Sequence, residues 1–289
     1  MNRLNQVLVG LLVLQLVVAA VVFWPRPAGG ESSEALFPDL QADQVVALTV
    51  DDGEGNTVQL AKREGRWVLP GAADYPALEE SITSLLQKLA GLQAGRLVTQ
   101  TGASHARLQV ASGEFDRRIQ FELADGSRHV LYLGSSPSYQ ATHVRVEGQN
   151  EVYLISDLSS QDAGAQASAW VQRSYFSLPA DDVLAVTLEN ADGTFAFARE
   201  GESWIMDGLV EGETFDSQRF QSLLNGVTSI SLVEPLGTVR ESAYGMDEPA
   251  AVLTLHTGIA GAARTYTLEV GAQDPEDNTY VVKSSESPY

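Results

Sequence analysis

Four histidines are the first candidates for chemistry in this chain: His105, His129, His143 and His256. A zinc site needs several nitrogen or sulfur ligands converging on one tetrahedron. No two of these histidines stand at ligand spacing, and no His-Glu-x-x-His motif occurs. Only His129 and His143 could meet, across neighbouring strands. Solvated strand histidines are the simpler expectation. The acidic stretch Asp51-Asp52-Gly53-Glu54-Gly55-Asn56 is the nearest approach to a calcium loop. An EF-hand needs oxygen ligands at alternate positions, glycine at the sixth and a late glutamate. This stretch lacks that order and reads as a hairpin turn, as does Glu189-Asn190-Ala191-Asp192-Gly193. GxSxG, SxxK, P-loop and GxGxxG motifs are absent. Glu79-Glu80 suits the positive end of a helix without any acid/base role. Trp67 and Trp204 read as core residues, with exposed recognition aromatics as the alternative. No catalytic, cofactor-binding or metal-binding residue is assigned, so the chain reads as a non-enzyme with no cofactor. A Ser/His/Asp triad converges only in space, so an undetected hydrolase remains an alternative.

The elements that would position such residues come as a repeat. Ala42-Asp43-Gln44-Val45-Val46-Ala47-Leu48-Thr49-Val50 returns as Ala180-Asp181-Asp182-Val183-Leu184-Ala185-Val186-Thr187-Leu188. Arg63-Glu64-Gly65 and Trp67 return as Arg199-Glu200-Gly201 and Trp204, and Ser84-Leu85-Leu86 as Ser222-Leu223-Leu224. Val46, Leu48 and Val50 alternate as a half-buried strand does. Leu78, Ile82, Leu85, Leu86, Leu89 and Leu92 form one apolar helical face. Phe220, Leu223, Leu224, Val227 and Ile230 repeat it. Strands follow through Ile119, Phe121 and Leu123, then Val130 to Leu133. Their counterparts are Leu253 and Leu255, a turn through Gly258 to Ala263, then Tyr266 to Val270. Val152-Tyr153-Leu154-Ile155 has no counterpart before Tyr289. The expected fold class is α+β: an N-terminal transmembrane helix, then two tandem modules, each an antiparallel sheet with one long packed helix. The expected divisions are anchor 1–24, linker 25–40, first module 41–156, connector 157–179, and second module 180–289, where either the chain is truncated at Tyr289 before its last strand or the second sheet lacks that edge.

The anchor rests on Val7 to Trp24, eighteen uncharged residues. As a helix they span about 27 Å, close to the hydrocarbon core of a bilayer. Arg3 precedes them, and Pro25 ends them. A signal peptide cut after Val18-Ala19-Ala20 is the rival reading, but the apolar run continues through Phe23. Asp+Glu number 38 against 18 Lys+Arg, a net charge of −20. Such a surface repels phosphate backbones, so nucleic acid is not an expected partner. With no cysteine, disulfides, thiol nucleophiles and lipidation at cysteine are excluded.

Arg63-Glu64-Gly65-x-Trp67-Val68, the helix bearing Ser-Leu-Leu, and Tyr244-Gly245-Met246-Asp247-Glu248-Pro249 together resemble the bacterial family known as domain of unknown function 4340. The first copy departs from it, with Ala106-Arg107-Leu108 where the second has Tyr-Gly-Met. The resemblance implies a single-pass protein of the bacterial cytoplasmic membrane with its C-terminal region extracytoplasmic. It also implies ABC-type transporter subunits, including gliding-motility-like auxiliary transporters, as partners. It carries over no site residues. The expected function is thus a non-enzymatic accessory or scaffold protein. The alternative is an ectodomain that binds a glycan or peptide between its modules, and an exposed aromatic cleft would favour it.

Overall fold

A computed structural model describes residue 15, residues 34–258 and residues 263–289. Its strands are β1 (Val45–Asp52), β2 (Thr57–Arg63), β3 (Arg66–Leu69), β4 (Tyr75–Pro76), β5 (Arg96–Thr99), β6 (Val110–Ala111), β7 (Glu114–Phe115), β8 (Arg117–Leu123), β9 (Arg128–Leu133), β10 (Thr142–Val146) and β11 (Val152–Ile155). They continue as β12 (Ser174–Ser177), β13 (Val183–Asn190), β14 (Gly193–Glu200), β15 (Ser203–Met206), β16 (Ser229–Ser231), β17 (Ala251–Thr257), β18 (Arg264–Gln273) and β19 (Tyr280–Ser284). The described α-helices are α1 (Glu79–Ala90) and α2 (Ser217–Thr228).

The expected α+β class is corrected. Strand accounts for 41% and helix for 18%, so the chain is mainly β, built of several antiparallel sheets rather than helix-packed repeats. Each α-helix is 12 residues long. The apolar stripe misled because it runs past the helix ends. Leu92 is buried beyond Gly91, whose N–H closes α1 on the Gln87 carbonyl. Ile230 already belongs to a strand. Periodicity reports which side chains are buried, whatever the backbone does. The apolar segment Val7 to Trp24, apart from Gln15, lies outside the described residues, as do residues 259–262 of the expected turn. Among the described residues no helix is long and apolar enough to cross a membrane.

One sheet has nine strands in the order β4-β3-β2-β1-β8-β9-β10-β11-β5, and another six in the order β15-β14-β13-β17-β18-β19. The central run β3-β2-β1-β8-β9-β10 of the first has the same order as the whole of the second. α1 and α2 are displaced by the same 138 residues (217 − 79) as β10 and β19 (280 − 142). α1 buries Ile82, Leu85, Leu86 and Leu89 on one face of the nine-stranded sheet, against Leu48, Leu60, Phe121 and Trp67. The opposite face carries a smaller cluster of Leu108, Val110, Val130, Tyr132 and Val152. Phe37 and Leu40, in the stretch expected as linker, are buried in the first core. Phe220 and Leu224 of α2 pack with Val186, Phe197, Leu255 and Leu268 in a separate core. Trp170 is buried in the first core while Phe176 and Leu178 are buried in the second, so the connector is fastened at both ends.

Candidate functional site

The expected hairpin turn at Asp51 to Asn56 spends its carboxylates on itself. Asp52 accepts the Glu54 and Asn56 main-chain N–H groups, each at 2.9 Å, and the Asn56 side-chain amide at 2.8 Å. Burial opposes its ionisation, but these hydrogen bonds and Arg117 hold its pKa below the ordinary aspartate value. Asp51 pairs with Arg118 at 2.9 Å and accepts the Thr57 hydroxyl. Glu79 and Glu80 occupy the first turn of α1.

The histidines are dispersed. His129 packs against Phe121 and Phe37, at 5.3 and 5.7 Å between centroids. His105 meets the Asn150 carbonyl, and His256 the Thr265 hydroxyl. His143 is buried, and its Nδ1 lies 3.1 Å from Ser135 Oγ. That contact resembles a nucleophile and its base. The same Nδ1 is 2.7 Å from the Ser135 carbonyl, which can only accept, so Nδ1 carries the proton there and cannot take one from the hydroxyl. Among the described residues no carboxylate orients His143, and no cluster of metal-ligating side chains occurs.

A cleft of about 500 Å³ lies where the two large sheets meet. Its walls are Tyr75 of β4, Tyr175 of β12, the segment 230–240 and β19. The Leu232 N–H donates to the Arg173 carbonyl, and its side chain packs against the first core. Gly237 has φ +88°, a conformation costly for any residue with a Cβ, and a Cβ there would lie 3.4 Å from the Ala72 carbonyl carbon. Val233, Leu236 and Val239 are exposed at 54, 43 and 70%. Tyr280, on β19, is also exposed.

Polar groups frame these apolar walls. The Tyr175 hydroxyl donates to the Tyr289 carbonyl at 2.8 Å and accepts the Ser284 N–H at 3.0 Å. Tyr75 and Tyr289 meet edge to face at 4.7 Å. Burial, then Tyr175 and Tyr289, raise the Tyr75 pKa and keep its hydroxyl protonated. Lys283 donates to the Ser287 and Tyr289 carbonyls. Burial and then Arg240 lower its pKa, while Glu269 opposes them. Arg240 is held by Glu269 at 2.7 Å and by the Met246 carbonyl. Asp274 and Asp277 accept hydrogen bonds from Glu276 and Thr279 in the turn before β19. The arrangement suits recognition of an apolar or aromatic group, with an amine and a guanidinium at hand.

The family described as Domain of unknown function (DUF4340) matches residues 67–249. The chain belongs to this family. Neither the curated proteins nor the solved structures give a match. The matched span runs from Trp67 of β3 to Pro249, just before β17. It therefore includes the segment 230–240 and, within the resemblance motif, Tyr244 and Met246, which line the cleft. Of these cleft residues, the resemblance motif contains Tyr244, while Tyr75, Tyr175, Lys283, Arg240 and the segment 232–239 were missed. The available signal was the run Ile230-Ser231-Leu232-Val233-Glu234-Pro235-Leu236, apolar yet without a strand or helix period.

Proposed function

We propose that this chain is a non-enzymatic accessory protein of the bacterial cytoplasmic membrane that binds a polypeptide partner in the cleft between its two large sheets. The apolar segment 7–24 attaches it to the membrane, and the acidic body lies on the extracytoplasmic side. The observation that carries the reading is the cleft itself. Binding sites are concave, mainly apolar, and carry a few placed polar groups. This cleft sets five tyrosines, exposed aliphatics, Lys283 and Arg240 around about 500 Å³. Its Asp274 and Asp277 accept hydrogen bonds in the turn before β19, and the Ser135–His143 contact lies outside it. The family resemblance points to ABC-type transporter subunits as the partner.

The test is site-specific photocrosslinking in intact membranes. A photoreactive residue in place of Tyr280 is compared with one at Tyr139, which is 93% exposed and outside the cleft. Transporter subunits crosslinked from position 280 and not from 139 are expected. Equal labelling from both positions, or none from 280, would defeat the reading.

A further inference from the structure

β3 and β15 are corresponding strands, with Trp67 opposite Lys62 of β2 and Trp204 opposite Arg199 of β14. Their outer sides differ. β4 pairs with β3, and the Ala77 N–H donates to the Trp67 carbonyl at 2.9 Å. Tyr75 and Ala77 pack against the first core there, and Trp67 and Leu69 are buried. β15 is instead an edge of the six-stranded sheet, the one opposite β19, and no described strand pairs beyond it. The counterparts Trp204 and Met206 are only half-buried.

The residues after β15 turn on themselves rather than run back along it. Gly208 and Gly212 have φ +79° and +97°. The Glu213 N–H donates to the Val210 carbonyl at 3.0 Å, and the Glu213 carboxylate accepts the Val210 N–H at 3.2 Å. Leu209 and Val210 are left exposed. At the end of β15 the Asp207 N–H donates to the Ala196 carbonyl, toward β14. Main-chain groups of successive residues alternate between the two sides of a strand. Trp204 and Met206 therefore turn theirs outward, as Trp67 does toward Ala77. Among the described residues nothing pairs with these outward groups. Sheet edges are ordinarily blunted by lysine, proline or a bulge. Ser203-Trp204-Ile205-Met206 has neither residue, and its register with β14 is unbroken.

We infer that β15 is a docking edge, separate from the cleft, for an extended basic segment of a partner protein. The segment adds antiparallel, as β4 does to β3, pairs with the main chain of Trp204 and Met206, and covers their side chains. Strand addition takes affinity from the main chain and specificity from the side chains on either face. Charge selects the occupant. Glu200, Glu202, Asp207, Glu211, Glu213 and Asp216 flank the edge, and residues 200–218 contain no lysine or arginine. The bordering Arg199 and Arg219 are held by Asp181 and Asp216. Lysine or arginine at the ends of an apolar strand complements this rim. A second copy paired through its own β15 would set the same carboxylates against each other.

The test uses the full chain and the peptide acetyl-Lys-Val-Tyr-Val-Lys-amide, with calorimetry for binding and amide hydrogen exchange at Trp204 and Met206. Binding with roughly tenfold slower exchange at both amides is expected. N-methylation of the peptide's three central residues removes its donors and should weaken binding about tenfold or more. Met206→Pro removes an outward donor without breaking the ladder to β14 and should do the same. Glutamate in place of both lysines should also cost about tenfold. Binding indifferent to N-methylation overturns strand addition, even if Met206→Pro proves unfolded. Equal binding of the glutamate peptide overturns the basic partner. Absence of binding overturns the docking edge, and so does slow exchange at both amides before peptide is added, which means that the edge is already covered. Protection that grows with protein concentration alone replaces the partner by a second copy. Crosslinking from position 280 reports on the cleft independently, because β15 and β19 are opposite edges.

Discussion

Gly271→Ala isolates a close approach that supports one wall of the cleft. A Cβ at position 271 would lie 2.1 Å from the Tyr244 carbonyl oxygen, 3.1 Å from Met246 Sδ and 3.3 Å from the Tyr244 carbonyl carbon. Carbon and oxygen come no closer than about 3.3 Å in weak hydrogen-bonded contacts. The Tyr244 main chain would have to retreat by about 1 Å. No rotamer change relieves this, because the obstacle is a peptide group. The turn that carries it is itself held: the Gly245 N–H donates to Ser242, and Arg240 donates to the Met246 carbonyl. Met246 is buried, so a retreat also loosens its packing. Overpacking costs about 1–3 kcal/mol, and the rigid obstacle puts this case near about 3 kcal/mol. Gly271 is not in the left-handed region, so backbone strain adds nothing. Gly226→Ala is the internal control. It lies within α2 with nothing within 4 Å of its would-be Cβ, and alanine there stabilises by about 0.5–1 kcal/mol. Urea unfolding followed by far-UV circular dichroism reads both changes. A Gly271→Ala protein within about 0.5 kcal/mol of the parent refutes the close-approach argument, because ordinary surface substitutions fall in that range.

Trp67→Ala should cost about 3–5 kcal/mol, as large aromatic truncations in cores do, since Trp67 is only 6% exposed. Trp204 is half-buried against Phe220 at 4.8 Å, so Trp204→Ala should cost less, about 1–3 kcal/mol; the reverse order in urea unfolding would overturn the burial assignment. Arg145→Ala should cost about 2–4 kcal/mol, because the buried guanidinium caps the Val110 carbonyl at 2.7 Å and lies over the Tyr132 ring; a loss under about 1 kcal/mol counts against it. At Asp162 burial raises the pKa, but Lys88 and the Ser159 donors outweigh it and leave the folded value below the ordinary one. Its stabilising contribution is therefore full above the unfolded value of about 4 and is lost as pH falls through the folded pKa. Unfolding midpoints from pH 6 to pH 2 should show a shallower acid loss in Asp162→Asn than in the parent, and identical slopes would rule this out.

The membership in the family, the hairpins, the turn glycines and the two apolar stripes were legible in the chain because they are local. Alternation in Val46, Leu48 and Val50 and the Asp-Gly turn at Asp125-Gly126 need only neighbours in sequence. Gly134 and Gly271 stand at corresponding strand ends for one tertiary reason: a Cβ at either would lie 2.1 Å from a carbonyl oxygen. The class was misjudged because the stripes extended past Gly91 and Thr228, where burial continues and the helical hydrogen bonds stop. Only the tertiary structure set β8 beside β1 and β17 beside β13, pairings closed over long loops. Only it separated His129 from His143 by placing one on aromatic rings and the other against Ser135. The cleft depends on it most. Segment 232–239 shows no period because Leu232 packs against the first core while Val233, Leu236 and Val239 face open solvent. Such a surface is defined by the distant residues that face it, so it leaves no pattern in its own stretch of chain.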